Sequence, residues 1–229
     1  MAKQKKPSYM IPFQNINLTV GEKIEILSKF NLFKNSNKAE IEAFARVTNP
    51  KNIRPMEIFV EEGFDDHRTY FVYKGVASLF RTTREGEIIN IDVVGAPTIV
   101  GMSGLIDNKT STTSTVAVGD LQTLVLYQRD FQELIPNYPN LALEMMKLFA
   151  EKIHKFDVFI EDVLSKNLHD RTWGLLQYLS HYFAHDEITL SHEQIADLVW
   201  GTRSRVTEVL NKLEEEGKIQ MGHRKIKLT

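Results

Sequence analysis

Residues 190–213, LSHEQIADLVWGTRSRVTEVLNKL, admit few folds, because two helical stripes of apolar residues are separated by a very short break. Ser191 followed by Gln194 has capping-box spacing, in which the serine accepts from a free first-turn amide and the glutamine reaches back to cap. Ile195, Leu198 and Val199 fall at i, i+3 and i+4 and make one face apolar, while Ala196 is small enough to let a second helix pass close by. Trp200-Gly201-Thr202 interrupts the pattern. Glycine reaches turn conformations closed to other residues and threonine is a good N-cap, so a second helix is expected from Arg203. Val206, Val209, Leu210 and Leu213 form its buried stripe and leave Arg203, Ser204, Thr207, Glu208 and Asn211 outside. A short polar face rich in forked hydrogen-bonding groups suits the reading of base edges in a major groove, although the same spacing fits a plain helical hairpin with a solvated face. The downstream run favours the first reading. Glu214-Glu215-Glu216-Gly217 closes the helix, and Ile219-Gln220-Met221, Gly222-His223-Arg224 and Lys225-Ile226-Lys227-Leu228 read as strand, turn and strand. A basic two-stranded wing beside a recognition helix makes a winged helix-turn-helix.

The rest of the chain must support such a reading head. At 229 residues it can hold two domains of ordinary size, and with 42% hydrophobic and 25% charged residues it can bury true cores. It has no apolar run long enough for a membrane helix, and its start, MAKQKKPSYMIPF, is basic, polar and broken by Pro7 and Pro12, unlike a secretory leader. A cytoplasmic location without a membrane partner is expected. The absence of cysteine excludes disulfides, thiolate zinc sites and four-cysteine iron–sulfur clusters. The seven histidines are scattered without ligand spacing, and Ser103 lacks a nucleophile elbow. No catalytic residue, metal site or cofactor is therefore expected, and the chain does not read as an enzyme. Net charge is −2, and residues 165–229 carry nine Lys+Arg against nine Asp+Glu, so positive charge must be concentrated on one face to meet nucleic acid.

In chain order, residues 1–21 read as a tail with Lys3, Lys5 and Lys6, followed by short helices at 22–30 and 38–47. From Asn52 the texture becomes β-rich, with runs at 57–60, 70–73, 77–80, 88–91, 114–118 and 121–127. Glycines at 63, 75, 86, 95, 101, 104 and 119 punctuate them, and no long helical pattern intervenes, which argues for a β-sandwich or barrel. A short helix at 131–135 is ended by Pro136 and Pro139. Met146, Phe149, Ile153, Phe156, Ile160 and Val163 then recur at alternating spacings of three and four, the seam of a coiled coil. Leu141, Met145, Leu148 and Phe159 supply a second apolar face for the helix to pack on the β-rich domain of its own chain. Two faces imply two partners, so the seam is read as the interface of a two-fold homodimer. Ser165-Lys166-Asn167 is the linker, with Asn167 as N-cap of a helix bearing Leu168, Thr172, Leu175, Leu176 and Leu179. The expected fold is α+β, with a β-rich domain at 22–136, a dimerisation helix at 137–164 and the winged helix-turn-helix at 165–229.

The reading head resembles that of the Crp/Fnr superfamily, which has a small residue where Ala196 stands, an arginine where Arg203 stands, and a closing run matched by Leu210, Leu213, Gly217 and Ile219. Upstream, Glu61 to Gly63, Tyr70 to Gly75 and Glu85-Gly86 resemble the cyclic-nucleotide-binding jelly roll of the same superfamily. The resemblance implies a transcriptional regulator that binds a palindromic operator as a homodimer and that meets RNA polymerase if it activates. Ser191, His192, Thr202, Arg203, Ser204, Arg205, Thr207, Glu208, His223, Arg224, Lys225 and Lys227 are the residues expected at DNA. Many relatives carry an arginine where Glu208 stands; Glu208 either accepts from a cytosine amino group or turns aside to pair with Arg205 or Lys212. The superfamily's cyclic AMP cassette survives only in Gly101 and Leu105. Met102 stands in place of the ribose-binding glutamate and Thr112-Thr113 near the arginine–serine step, so cyclic AMP is not the expected ligand. The run at 86–107 is similar instead to the PrfA-like branch, with Gly95-Ala96, Met102-Ser103-Gly104 and Ile106-Asp107 matching and Val93, Val94 and Pro97 at positions aromatic there. That similarity implies a small effector such as a glutathione-like peptide, held between sensor and DNA-binding domain. The competing reading, prompted by the neutral charge of the second domain and by Trp200 in its turn, is a ligand-binding or protein-docking module that no longer reads DNA.

Overall fold

A computed structural model describes residues 17–65, 67–107, 109–183, 187–222 and 225–229. Among them, α1 (Val20–Leu27) and α2 (Lys38–Val47) each begin with a reciprocal capping box, Thr19 with Glu22 and Asn37 with Glu40. The first helix therefore starts two residues before the expected boundary, because Thr19 is its cap. Lys23 is buried and donates from Nζ to the carbonyls of Ala45 and Thr48 at the end of α2. Burial pushes its pKa below the usual lysine value.

Eight strands follow: β1 (Asn49–Ile53), β2 (Ile58–Val60), β3 (Arg68–Lys74), β4 (Val76–Thr82), β5 (Ile88–Gly95), β6 (Thr98–Val100), β7 (Ser114–Ala117) and β8 (Leu121–Tyr127). They form two antiparallel sheets, ordered β1-β8-β3-β6 and β2-β7-β4-β5. Side chains from both sheets, among them Ile53, Phe59, Tyr70, Val72, Ala77, Val100, Ala117, Leu121 and Val125, fill the roll between them. The Tyr70 hydroxyl is satisfied inside by the Phe59 carbonyl, 2.9 Å away. The first sheet is covered on its outer face as well. Phe71, Leu124 and Leu126 point away from the roll into a second core with Leu27, Phe30, Phe33, Phe44, Met102 and Leu105. Double coverage explains why β3 reads as an unbroken apolar run instead of an alternating one. β1 and β6 were not expected from the sequence, since one carries Pro50 and the other is three residues long.

After α3 (Gln128–Leu134) comes α4 (Pro139–Ser165), and the prolines mark starts as much as stops, because Pro139 occupies the first turn of α4. Leu141 and Met145 are buried in the second core, with Leu148 and Phe149 half-buried against it. Of the expected seam, Met146, Ile153, Phe156 and Ile160 are 60%, 62%, 59% and 42% exposed, whereas Phe149 and Val163 are half-buried. Phe149 is thus shared with the sensor core. No helix among the described residues is long and apolar enough to cross a membrane.

The last part comprises α5 (Leu168–Ser180), β9 (Glu187–Ile188), α6 (His192–Leu198), α7 (Arg203–Glu215), β10 (Ile219–Gly222) and β11 (Lys225–Leu228). Its core of Leu176, Leu179, Ile195, Leu198, Val206, Leu210 and Leu213 continues into Val76 and Val93 of the roll. The two parts come close at Gly95 of β5, where a Cβ would lie 2.0 Å from Cδ1 of Tyr182.

Candidate nucleic-acid interface

The helix-turn-helix is built as its sequence dictates, with one exchange of roles in the turn. Ser191 and Gln194 form the reciprocal capping box of α6, and Thr202 caps α7 by accepting from the Arg205 amide. The left-handed residue, however, is Trp200 at φ 53° and not Gly201. Gly201 is required for another reason: a Cβ on it would stand 2.8 Å from Cδ1 of Leu168, so the glycine lets α5 approach the turn. Trp200 remains 64% exposed and sets its ring edge-on to Phe159 of α4 at 5.5 Å, joining the turn to the long helix.

Val206, Leu210 and Leu213 are buried, which turns Arg203, Ser204, Arg205, Glu208 and Asn211 outward. Among the described residues Arg203 pairs with Glu193, 4.0 Å away with both side chains well exposed, an interaction worth close to nothing in water. Its guanidinium is free to move to a nucleic acid. Thr207 behaves differently. Its hydroxyl donates to the Arg203 carbonyl at 2.9 Å and so must accept from Nδ1 of His192, also at 2.9 Å. Ser191 and Thr202 spend their hydroxyls on caps, and Ser204 lies 3.3 Å from Thr202. Glu208 forms no ion pair with a described residue and lies on the rim of a shallow cleft with Asn167, His169, Arg205 and Lys212.

Gly217 closes α7, and the wing has one strand more than expected, because β9 pairs with β11 across Ile226↔Ile188 and Lys227↔Glu187. The extra strand supplies a carboxylate: Lys225 Nζ is bonded to Glu187, so this cation is partly spent inside the wing. Lys227 is exposed. His223 and Arg224 lie outside the described residues.

Two groups that spacing alone did not single out hold the reading head in place. Arg171 of α5 donates from Nη1 to the carbonyls of Val163 and Lys166, each at 2.9 Å, and from Nε to the carbonyl of Val199 at 3.1 Å. One side chain thereby ties together the end of α4, the linker and the end of α6. Asp197 of α6 accepts through Oδ2 from the Asn90 amide nitrogen of β5 at 3.1 Å and from its side-chain Nδ2 at 2.8 Å. A charged residue next to a break of three residues was the only available hint for the first, and nothing local marks the second.

The geometry has close counterparts. Residues 50–138 match the family described as the cyclic nucleotide-binding domain, and residues 170–229 match the Crp-like helix-turn-helix domain. The chain is 28% identical over 153 residues to the cyclic AMP receptor protein of Thermus thermophilus, covering 67% of this chain and 71% of that one. It is 26% identical over 168 residues to the global nitrogen regulator of Synechocystis sp., covering 69% and 75%. In structure it is similar to the c-di-GMP responsive global regulator CLP of Xanthomonas campestris, with a TM-score of 0.70 at 17% identity over 84% of this chain and 99% of that one.

Proposed function

Because it joins a cyclic nucleotide-binding domain to a Crp-like helix-turn-helix, the chain belongs to the Crp/Fnr family of transcriptional regulators, and from that premise we propose a cytoplasmic homodimer that binds a two-fold symmetric operator and whose sensor does not take cyclic AMP. The observation that carries the dimer is the stripe Met146, Ile153, Phe156 and Ile160, four large apolar side chains left in water on one side of α4. A self-complementary seam of that kind is buried by a second copy about a two-fold axis, which sets two reading heads on half-sites about one helical turn apart. RNA polymerase is the further partner if the regulator activates.

On this reading Arg203 meets a guanine with two parallel hydrogen bonds. Glu208, which forms no ion pair with a described residue, accepts from a cytosine amino group in the same groove. Lys227 meets a phosphate, which fixes position without reading sequence. Selection of duplexes from a random pool is the test. Arg203→Ala is expected to relax preference at one base pair per half-site, with about 1–3 kcal/mol of discrimination lost there. Lys227→Ala should weaken every duplex alike and reduce the salt dependence by about one unit. Recovery of a TGTGA-like half-site by the wild type would remove Glu208 from the readout, and no salt-dependent binding to any duplex would return the chain to the docking-module reading.

For the sensor, the likeness of residues 86–107 to the PrfA-like branch supports a small non-nucleotide effector such as a glutathione-like peptide. One relative is named for cyclic AMP, but here Met102 is buried in the outer core and Tyr70, Val72 and Phe59 fill the roll. Neither an acceptor for a ribose hydroxyl nor a cation for the phosphate stands at the cassette positions. A cleft of about 200 Å³ beside α4 offers an alternative, with Lys29, Lys152 and Lys155 around a floor of Phe30, Ile99, Met102 and Leu148. It is smaller than the roughly 300–1,000 Å³ usual for ligand sites, and so accepts the carboxylate end of such an effector rather than all of it. Calorimetry with millimolar cyclic AMP or cyclic GMP is expected to give no binding heat, and tight binding of either nucleotide would overturn this part.

A further inference from the structure

The contact between Asp197 and β5 crosses from the reading head to the sensor and has no part in reading bases. β5 is the edge of its sheet, and its register with β4 slips between Leu79 and Phe80, so that Leu79 pairs with Asp92, Phe80 with Asn90, and Ile91 is left over. A bulge of this sort turns the strand and re-aims the groups beside it. Here it presents the Asn90 amide N–H outward, where Asp197 accepts it together with the side-chain Nδ2. The other end of the Asn90 amide is fixed too, because Oδ1 accepts from the hydroxyl of Ser78, a residue 1% exposed in the sheet interior, at 3.2 Å. The side chain is therefore held in one orientation, with its donor aimed at α6. Around this polar clasp, Val76 and Val93 pack into the core of the second domain, and Tyr182 lies flat against Gly95. Arg171 restrains the linker at the far side of the same domain.

The geometry points to Asp197 and Asn90 as positioning residues that set the separation of the two recognition helices, and hence the half-site spacing that the regulator accepts. This inference rests on the homodimer reading, since spacing has meaning only for two heads on one axis. Without the clasp, each head would be held by Arg171, a three-residue linker and apolar contacts such as those of Val76, Val93 and Gly95, which lack the direction of a hydrogen bond. Binding a palindrome would then require ordering the heads at that moment, a penalty the clasped form has met beforehand. Binding to one half-site carries no such requirement.

The experiment uses the full-length chain and four duplexes: the palindrome selected by the wild type, two versions of it with the half-sites moved apart by one and by two base pairs, and a single half-site. Asp197→Ala is expected to bind the single half-site like the wild type and the palindrome about tenfold more weakly, as suits the loss of hydrogen bonds to a charged acceptor. It should also distinguish the altered spacings less sharply. Asp197→Asn removes the same charge but keeps an acceptor oxygen, so it should restore affinity and spacing preference; this comparison separates the clasp from general repulsion between a carboxylate and DNA. If Asp197→Ala matches the wild type on all four duplexes, or binds the palindrome more tightly, the inference is wrong. Should Asp197→Ala lose the half-site as well, Asn90→Ala, which lies in the sensor and cannot disturb the fold of α6, decides: reduced palindrome binding with intact half-site binding supports the clasp, and unchanged binding refutes it. A wild type that binds half-site and palindrome equally removes the two-fold reading, and this inference with it.

Discussion

A chain carrying Ile153→Asp and Phe156→Asp is expected to sediment as a monomer and to lose operator binding by about a hundredfold or more, the gain that two linked sites have over one. The positions follow from exposure. Both side chains stand more than half in water on the free face of α4, whereas Phe149 is partly engaged by the sensor core and its replacement would confuse unfolding with dissociation. Burying an isoleucine or phenylalanine side chain stabilises by roughly 1.5–3 kcal/mol. An unpaired carboxylate in the same seam is destabilising by several, and the two-fold axis doubles each change. Unfolding of the sensor should be unaffected, since neither side chain belongs to the cores of the roll. A variant that stays dimeric in sedimentation equilibrium would place the interface elsewhere.

Arg171→Ala should give the second large effect. It removes three hydrogen bonds from a cationic donor to the carbonyls of Val163, Lys166 and Val199, two of which end helices. Such carbonyls favour a positive partner. Allowing for the half-exposed position of the arginine, a loss of about 3 kcal/mol in the stability of the second domain is expected. Arg171→Lys should recover only a small part, because an ammonium cannot span three acceptors as a planar fork does. Calorimetric unfolding of the full chain, with amide exchange followed at residues 163–167, measures it; an unchanged transition and unchanged exchange would mean that water replaces the arginine without penalty.

What the sequence disclosed and what it hid divide along a physical line. The capping residues Ser191, Thr202 and Asn167 were legible because a cap is a local bond within three or four residues. The α7 stripe and the α4 seam were legible because helical periodicity repeats often enough to be read. β1 was missed because Pro50 breaks its pattern, yet its partner β8 supplies the pairing. β9 was missed because two residues cannot show a period, and with it went the carboxylate that holds Lys225. The left-handed turn residue was assigned to Gly201 on conformational freedom, whereas the fold spends the glycine on room for Leu168 and lets Trp200 take the unusual backbone. Arg171 and the pair Asn90 and Asp197 act across sequence separations that only the packed chain brings together.

The edge at β5 also bears on how the chain comes to be folded. A strand at the margin of a sheet is a template for any other strand, and this one carries Ile88, Ile89 and Ile91 largely in the open. All strands of the roll precede α5 to α7 in the chain, so during synthesis the roll can close while the helix that guards its margin is still unmade. For that interval the margin is shielded only by its bulge and by the polar Asn90 and Asp92. The arrival of α6 then places the Asp197 carboxylate on the outward Asn90 amide, so that this N–H is no longer open to pair with a strand of a neighbouring chain.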